Sequence, residues 1–493
     1  MVNSNLSNIS ENENNLSLKT VDTPLKWCSV SLSDVISRGK RLEASVFDVE
    51  AKQAHDIIIN GKYTYVPLLG ENGIIKTAYY PGRFKRIYCG KENGEAFFLP
   101  SQMTDIYPKA EKYISRLTKC DISELKLKKG TLLLTRSGTI GNISLVSRTN
   151  EGKVYSDDVI RVTFNDKIDL GYSYAFLKSK IGNIVLQTNG YGSVITHLEP
   201  EHLGETYIPN APKEIKERIH NLIVQSFDLL DESNELIDES TNLLIEELKL
   251  PPISELKKRG VRNSSNVNTF SVKLSNLAGR VDASYHLPIV DTIVEHLKKY
   301  AKEVTTIGDE RISSEVILPG RFKRVYVDEG YGRIFIGGKQ LGELDPSSKK
   351  YLSNVKHSKQ IDDELMLSEA MTLITRSGTI GKVALVPKHW EHWIASEHII
   401  RVVPANIEIA GYLNIFLSSE YGHQLITRFT YGSVVDEIDD NHIRQIAIPL
   451  LKNQDIQNKI NDLALKANQK RYEAYMLEQE ALKIMNEEVI YAK

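Results

Sequence analysis

Between Pro212 and Leu250 apolar pairs recur every seven residues: Leu222/Ile223, Leu229/Leu230, Leu236/Ile237 and Leu243/Leu244, with no internal Pro or Gly. A seven-residue apolar period predicts one long helix with a continuous seam of the coiled-coil kind. Pro251-Pro252 stops it. A second long helix is expected from about Asn453 to Tyr491. Elsewhere the pattern changes. Short apolar and β-branched runs at residues 130–134, 142–146 and 159–164, separated by Gly-containing turns, predict strands, with helical segments at 172–187 and 412–428.

The strand-rich pattern occurs twice. Thr135-Arg136-Ser137-Gly138-Thr139-Ile140-Gly141 is identical to Thr375-Arg376-Ser377-Gly378-Thr379-Ile380-Gly381, 240 residues later. At the same offset Ile160-Arg161-Val162 returns as Ile400-Arg401-Val402, Tyr191-Gly192-Ser193-Val194 as Tyr431-Gly432-Ser433-Val434, and Ile208-Pro209 as Ile448-Pro449. At an offset of 238, Pro81-Gly82-Arg83-Phe84-Lys85-Arg86 equals residues 319–324, and Gln102 returns as Gln340, beside Lys339. A two-copy repeat of this length is a pair of whole domains.

The expected fold class is α+β: two similar strand-rich domains separated by a pair of long antiparallel coiled-coil helices, with an internal pseudo-twofold repeat. The divisions are a disordered tail over 1–24, a first domain over 25–210, a first spacer helix over 211–250, a linker over 251–268, a second domain over 269–450 and a second spacer helix over 451–493. The seam of the first helix is assigned to Leu222, Ser226, Leu229, Ser233, Leu236 and Ser240, and that of the second to Leu463, Ala467, Ala474, Leu477 and Ala481. The matched Ser and Ala columns would let the two helices approach closely; the other reading is that each helix folds back on its own domain. Pairing over about 28 residues at ~1.5 Å each spans roughly 40 Å, which would hold the domains apart like the ends of a dumbbell.

Composition adds limits. The chain has 493 residues, 41% of them hydrophobic, and a net charge of −2, so any nucleic-acid surface must be local. Cys28, Cys89 and Cys120 have no metal-ligand spacing, no apolar run approaches the ~20 residues of a membrane span, and a cytoplasmic setting is expected. Acidic residues, among them Asp231, Glu232, Asp238 and Glu239, crowd the first long helix, as a solvated face or a docking face.

The repeated motifs carry the candidate chemistry. In Thr-Arg-Ser-Gly-Thr-Ile-Gly the two glycines suit a tight strand-to-strand turn, while Arg136, Ser137, Thr139 and their repeats Arg376, Ser377 and Thr379 suit phosphate and base-edge contacts. Arg83, Lys85, Arg86 and Arg321, Lys323, Arg324 form the densest repeated basic cluster, suited to phosphates. Gln102, Lys339 and Gln340 join the candidate set. Tyr191, Ser193, Tyr431 and Ser433 either close a buried turn or reach a groove. The glycine spacing does not match a nucleotide-binding P-loop, and no duplicated nucleophile–His–acid set or metal motif is present.

In this order, twice over, these motifs resemble the specificity subunits of type I restriction–modification systems. Arg-Leu-Glu-Ala-Ser at 41–45 and Arg-Val-Asp-Ala-Ser at 280–284 look like that family's domain-opening motif. The resemblance implies a non-catalytic reader of a bipartite, asymmetric double-stranded DNA target. It implies docking of two methyltransferase subunits and, in some systems, two restriction subunits, with S-adenosylmethionine, Mg2+ and ATP held by those partners and no cofactor or metal in this chain. A spacer of ~40 Å would set the half-sites on the order of 12 base pairs apart. Two other readings stay open: a partner of a solitary or fused methyltransferase–nuclease, and a two-domain protein-interaction scaffold.

Overall fold

The computed structural model describes residues 29–37, 47–191, 196–258, 262–264, 267–277, 279–346, 348–432 and 435–493. The tail over 1–24, the motif at 41–45, Ser193 and Ser433 lie outside the described residues.

Each half is built on an antiparallel four-stranded sheet. In the first half the order is Ile75–Tyr79, Val159–Phe164, Leu132–Thr135, Ile143–Leu145. In the second it is Ser313–Ile317, Ile399–Pro404, Thr372–Thr375, Val383–Leu385. Even the irregularity repeats: the edge strand slips register between Ile75 and Thr77, and again between Ser313 and Glu315. A second, smaller four-stranded sheet follows the same parallel in both halves. Tyr88–Cys89, Lys112–Ser115, Gly94–Phe98 and Val154–Tyr155 correspond to Tyr326–Val327, Lys350–Ser353, Gly332–Ile336 and Ile394–Ala395.

A buried arginine joins the two sheets of each half. Arg161 projects from the central strand and donates to the carbonyls of Val159 (2.7 Å), Leu125 (3.2 Å) and Tyr155 (3.2 Å). Arg401 donates to Ile399 (2.5 Å), Ser396 (3.1 Å), Leu365 (3.2 Å) and Ala395. Both side chains are almost wholly buried. Burial lowers their pKa values to about 10 and about 9, far enough above neutrality that both remain charged.

The long helices are Lys213–Glu247 and Gln454–Ile484. They touch in antiparallel order along Arg218–Glu488 (2.9 Å), Ser226 Oγ donating to the Ala474 carbonyl (2.8 Å), Lys470–Glu232, and Lys459–Glu239 (3.1 Å). Ser226, Ser233, Ser240, Ala467, Ala474 and Ala481 are buried, whereas Leu222, Leu229, Leu236, Leu463 and Leu477 are only partly so. The second helix ends in a wider turn over Met485–Ile490 rather than running straight on to Tyr491, and this puts Met485, Val489 and Ile490 into the core of the first half. The first helix begins in that core through Ile219 and Ile223 and ends in the other through Leu244 and Leu248. Each rod is thereby rooted in both halves.

Segments expected as single helices at 172–187 and 412–428 are each two. Ile168–Lys178 turns into Lys180–Thr188 at Ser179, and Ile407–Ser418 into Glu420–Thr427 at Ser419. Each serine hydroxyl bonds back across the corner, to Phe176 and Phe416 respectively (2.6 Å). The first helix of each pair lies against a long helix at a glycine. A Cβ on Gly171 would sit 2.7 Å from the His220 Cα, and one on Gly411 2.4 Å from the Asn461 carbonyl oxygen.

The halves also meet directly, so they are not the separated ends of a dumbbell. Asp105 and Glu343, equivalent positions in the repeat, form an antiparallel bridge, and Ile106 N donates to the Gly342 carbonyl (2.7 Å). The Ile106 loop lies along the first rod, held by Asn234 (2.8 Å), and is thus carried across the rods' flank to the other half. Lys91–Glu420 (3.0 Å) and Lys178 Nζ to the Asp345 carbonyl (2.8 Å) add further contacts.

Candidate nucleic-acid interface

The heptapeptide turn forms as its glycines require: Gly138 and Gly141 have φ of 79° and 89°, Gly378 and Gly381 of 72° and 81°. Thr135 Oγ1 donates to the Thr139 carbonyl (2.7 Å) and Thr375 Oγ1 to the Thr379 carbonyl (2.5 Å), so these threonines close the turn. Thr139 and Thr379 are exposed.

The arginine of the motif is buried and committed. Arg136 is 4% exposed, pairs with Glu199 (2.5 Å) and Asp158 (3.2 Å), and lies 4.2 Å over the Tyr80 ring. Burial opposes its charge, but Glu199 and Asp158 outweigh that and raise its pKa above the ordinary value. Glu199 also accepts from the Tyr191 hydroxyl (2.8 Å), and these bonds hold its carboxyl below the usual range despite partial burial. Arg376 is 8% exposed and pairs with Glu437 (2.6 Å), whose other oxygen takes Arg321 (2.7 Å). Ser377 Oγ bonds His398 Nδ1 (2.8 Å), while the buried Ser137 Oγ has no hydrogen-bond partner among the described residues. Neither Arg136 nor Arg376 projects as a free phosphate or base contact.

The basic loop divides in two. Arg86 turns inward to Asp157 (2.5 Å) and Ser156 (3.1 Å), and Arg324 to Glu397 (2.7 Å) and Ser396 (3.4 Å). Arg83, Lys85, Arg321 and Lys323 face outward. Gln102 and Gln340 are local braces: Gln102 accepts from Leu99 N (3.0 Å) and donates to the Lys109 carbonyl (2.7 Å), and Gln340 accepts from Gly337 N (2.9 Å). Lys339 is exposed. Tyr191 and Tyr431 are 38% and 41% exposed, so each ring is accessible rather than sealed in a turn.

The motifs converge in each half. The heptapeptide turn bridges by its backbone to the segment after Tyr191, through Ser137 and His197, and likewise Ser377 to Glu437 after Tyr431. Glu437 further ties that turn to the Pro-Gly-Arg-Phe loop through Arg321. Arg280, from the domain-opening motif of the second half, donates to the carbonyls of Phe429 (3.2 Å) and Thr430 (2.8 Å), immediately before Tyr431. Sequence reasoning missed the carboxylates that hold these arginines. The pairs Arg86–Asp157 and Arg324–Glu397 were traceable, because an acid follows the serine in both copies.

The chain is similar to S subunits of type I restriction–modification systems. Among solved structures, that of the S subunit from M. genitalium is 15% identical, covering 85% of this chain and 98% of that one at a TM-score of 0.29. The HsdS subunit from Thermoanaerobacter tengcongensis is 12% identical, covering 84% and 98% at 0.26. A third, solved for complex assembly and conformational transition of the type I R-M system, is 12% identical, covering 86% and 96% at 0.27. No family model matches the chain, and no curated protein does. Among the described residues no group of His, Cys, Asp or Glu could hold a metal ion, and no helix is long and apolar enough to cross a membrane.

Proposed function

We propose that this chain is a DNA-specificity subunit of the type I restriction–modification kind. Each half would be a target-recognition domain, with the antiparallel rods as a coiled-coil spacer between them. What supports this reading most is the doubling of one constellation, a buried arginine turn beside an outward basic loop and an exposed tyrosine, joined by rods rooted in both halves. A twofold-like reader suits a bipartite, asymmetric duplex target, with the outward Arg83, Lys85, Arg321 and Lys323 on phosphates and the loops beside them on base edges.

The buried Arg136 and Arg376 and the half-buried Arg86 and Arg324 then act by holding those loops in shape. Methylation and cleavage belong to docked partner subunits that bring S-adenosylmethionine, Mg2+ and ATP. The helix contacts from Arg218–Glu488 to Glu239–Lys459 cover 21 residues of the first rod and 29 of the second, roughly 32 to 44 Å at ~1.5 Å per residue. The unread gap between half-sites is therefore expected to be on the order of ten base pairs.

Selection of the full chain against a randomised duplex pool tests the reading. Two short conserved blocks separated by an unread gap are expected. Removing one heptad from both rods should shorten that gap by roughly three base pairs. A pool that enriches no sequence would reject DNA reading in favour of the protein-scaffold alternative, and an unchanged gap would reject the rods as the spacer.

A further inference from the structure

A patch of apolar and basic side chains repeats in both halves, apart from the motifs above. Leu117 is 78% exposed, and Val355, at the equivalent position 238 residues on, is 85% exposed. Ile87 and Val325 are 40% and 38% exposed, Tyr88 and Tyr326 45% and 43%. A lysine ammonium lies over each tyrosine ring, Lys112 at 5.0 Å and Lys350 at 5.5 Å. Large apolar side chains this exposed gain nothing for the fold, and these recur at matched places with matched exposure.

The tips are also held in place. The turn carrying Leu117 is fixed by Leu117 N to Ser115 Oγ (3.2 Å), Ser115 N to the Ile87 carbonyl (2.8 Å), and Ile87 N to Thr118 Oγ1 (3.3 Å). In the second half Lys356 N donates to Ser353 Oγ (3.3 Å), Ser353 N to the Val325 carbonyl (3.0 Å), and Val325 N to His357 Nε2 (3.1 Å). Thr118 and His357 differ in chemistry but meet the same backbone amide. What the two turns share is a rigidly presented aliphatic side chain.

Charge indicates the occupant. Arg116 and Lys119 flank Leu117, Lys356 and Lys359 follow Val355, and all four are exposed. Asp121, the nearest acid after Leu117 in sequence, is turned to its own helix, accepting from Ser123 N (2.8 Å). A cationic rim around an aliphatic tip suits a polyanion that also offers an apolar group, and in a DNA major groove that group is the C5-methyl of thymine. We propose that Leu117 and Val355 are specificity residues, each packing on a thymine methyl in one half-site while the surrounding Lys and Arg side chains meet phosphates. This rests on the DNA-reading function proposed above and names residues for it.

Leu117→Asn and Val355→Asn test it, because both side chains are exposed and the fold should survive. That is checked by an unchanged Tm. In selection from a randomised duplex pool, each variant should lose a thymine preference at one position of one half-site, by about fourfold, the worth of one methyl-sized contact. The other half-site should be unchanged. Replacing that thymine by deoxyuracil should weaken wild-type binding equally and leave the matching variant unaffected. Unchanged base preferences in both variants, or a uniform loss over all sequences, would overturn the assignment while leaving DNA reading intact. If the wild-type chain itself enriches no sequence, the underlying function fails and this assignment with it.

Discussion

Arg136 and Arg376 occupy the same turn of the same heptapeptide, yet different neighbours hold them. Arg136 has two carboxylates, Asp158 and Glu199, and the Tyr80 ring. Arg376 has Glu437 and shares it with Arg321. At the 240-residue offset Asp158 is replaced by His398, Glu199 by Asp439, and His197 by Glu437. The carboxylate has moved two residues along the chain and still reaches the guanidinium. Arg161 and Arg401 show the opposite behaviour, since their partners are backbone carbonyls at matching places. Backbone acceptors survive side-chain divergence, whereas side-chain acceptors need only arrive at the right point in space. One scaffold can thus present two different faces.

The sharpest test of that contrast lies in the core. Arg401→Met should cost roughly 4 kcal/mol, because each buried carbonyl left without a donor carries its own desolvation penalty. Arg161→Met should cost about as much, since each variant frees three carbonyls: the fourth acceptor of Arg401, the Ser396 carbonyl, keeps Ile399 N as a donor (3.1 Å). Denaturant unfolding measures both, and a loss below about 1 kcal/mol in either would mean that water replaces the guanidinium.

Next in size come the side-chain acceptors. Glu437→Gln leaves a buried Arg376 without its carboxylate and should cost about 2–3 kcal/mol. Glu199→Gln should cost nearer 1 kcal/mol, since Asp158 and Tyr80 still hold Arg136. Equal losses would show that the number of partners is immaterial.

These differences explain what the sequence could and could not disclose. The heptapeptide, its glycine turn and the seven-residue column of Ser226, Ser233 and Ser240 were legible, because backbone conformation and close helix approach each demand particular residue types. The corners at Ser179 and Ser419 were not, since no proline interrupts either run and each bend depends on tertiary packing plus one hydroxyl. Nor was the direct contact of Asp105 with Glu343, because nothing local marks a loop that crosses between halves. Arg136 read as a candidate ligand contact since repetition alone cannot separate a repeated brace from a repeated surface. Its partners Asp158 and Glu199 lie 22 and 63 residues away and are not shared by the second copy.

One pH effect should be confined to the second half. His389 stacks on Tyr475 of the second rod at 4.2 Å and bonds the Leu344 carbonyl (2.9 Å). Burial lowers its pKa to about 4, against the partial opposition of that carbonyl. Above ~6.5 the imidazole is neutral in both folded and unfolded chains, and its contribution is complete. As pH falls from there towards about 4, only the unfolded chain takes up the proton and stability declines. The first half has Thr149 at this place. Burial also depresses His220, His423 and His442, so the readout is a difference: His389→Gln should lose less Tm than wild type on acidification from about pH 7.5 to about pH 5. Parallel curves would remove His389 from the account.

The smallest expected difference concerns the outward arginines. Arg83 has no ion pair among the described residues, whereas Arg321 must release Glu437 before it can take a phosphate. Arg83→Gln should therefore lower DNA affinity a few-fold for all sequences and reduce the salt slope by about one. Arg321→Gln should do less, because part of its phosphate contact is offset by the ion pair it gives up. In a Glu437→Gln background, with folding verified by circular dichroism, that competition disappears and Arg321→Gln should become as costly as Arg83→Gln. If the two arginines already contribute equally in the wild-type chain, the ion pair at Glu437 does not restrain Arg321, and the two basic loops are equivalent in solution despite their different neighbours.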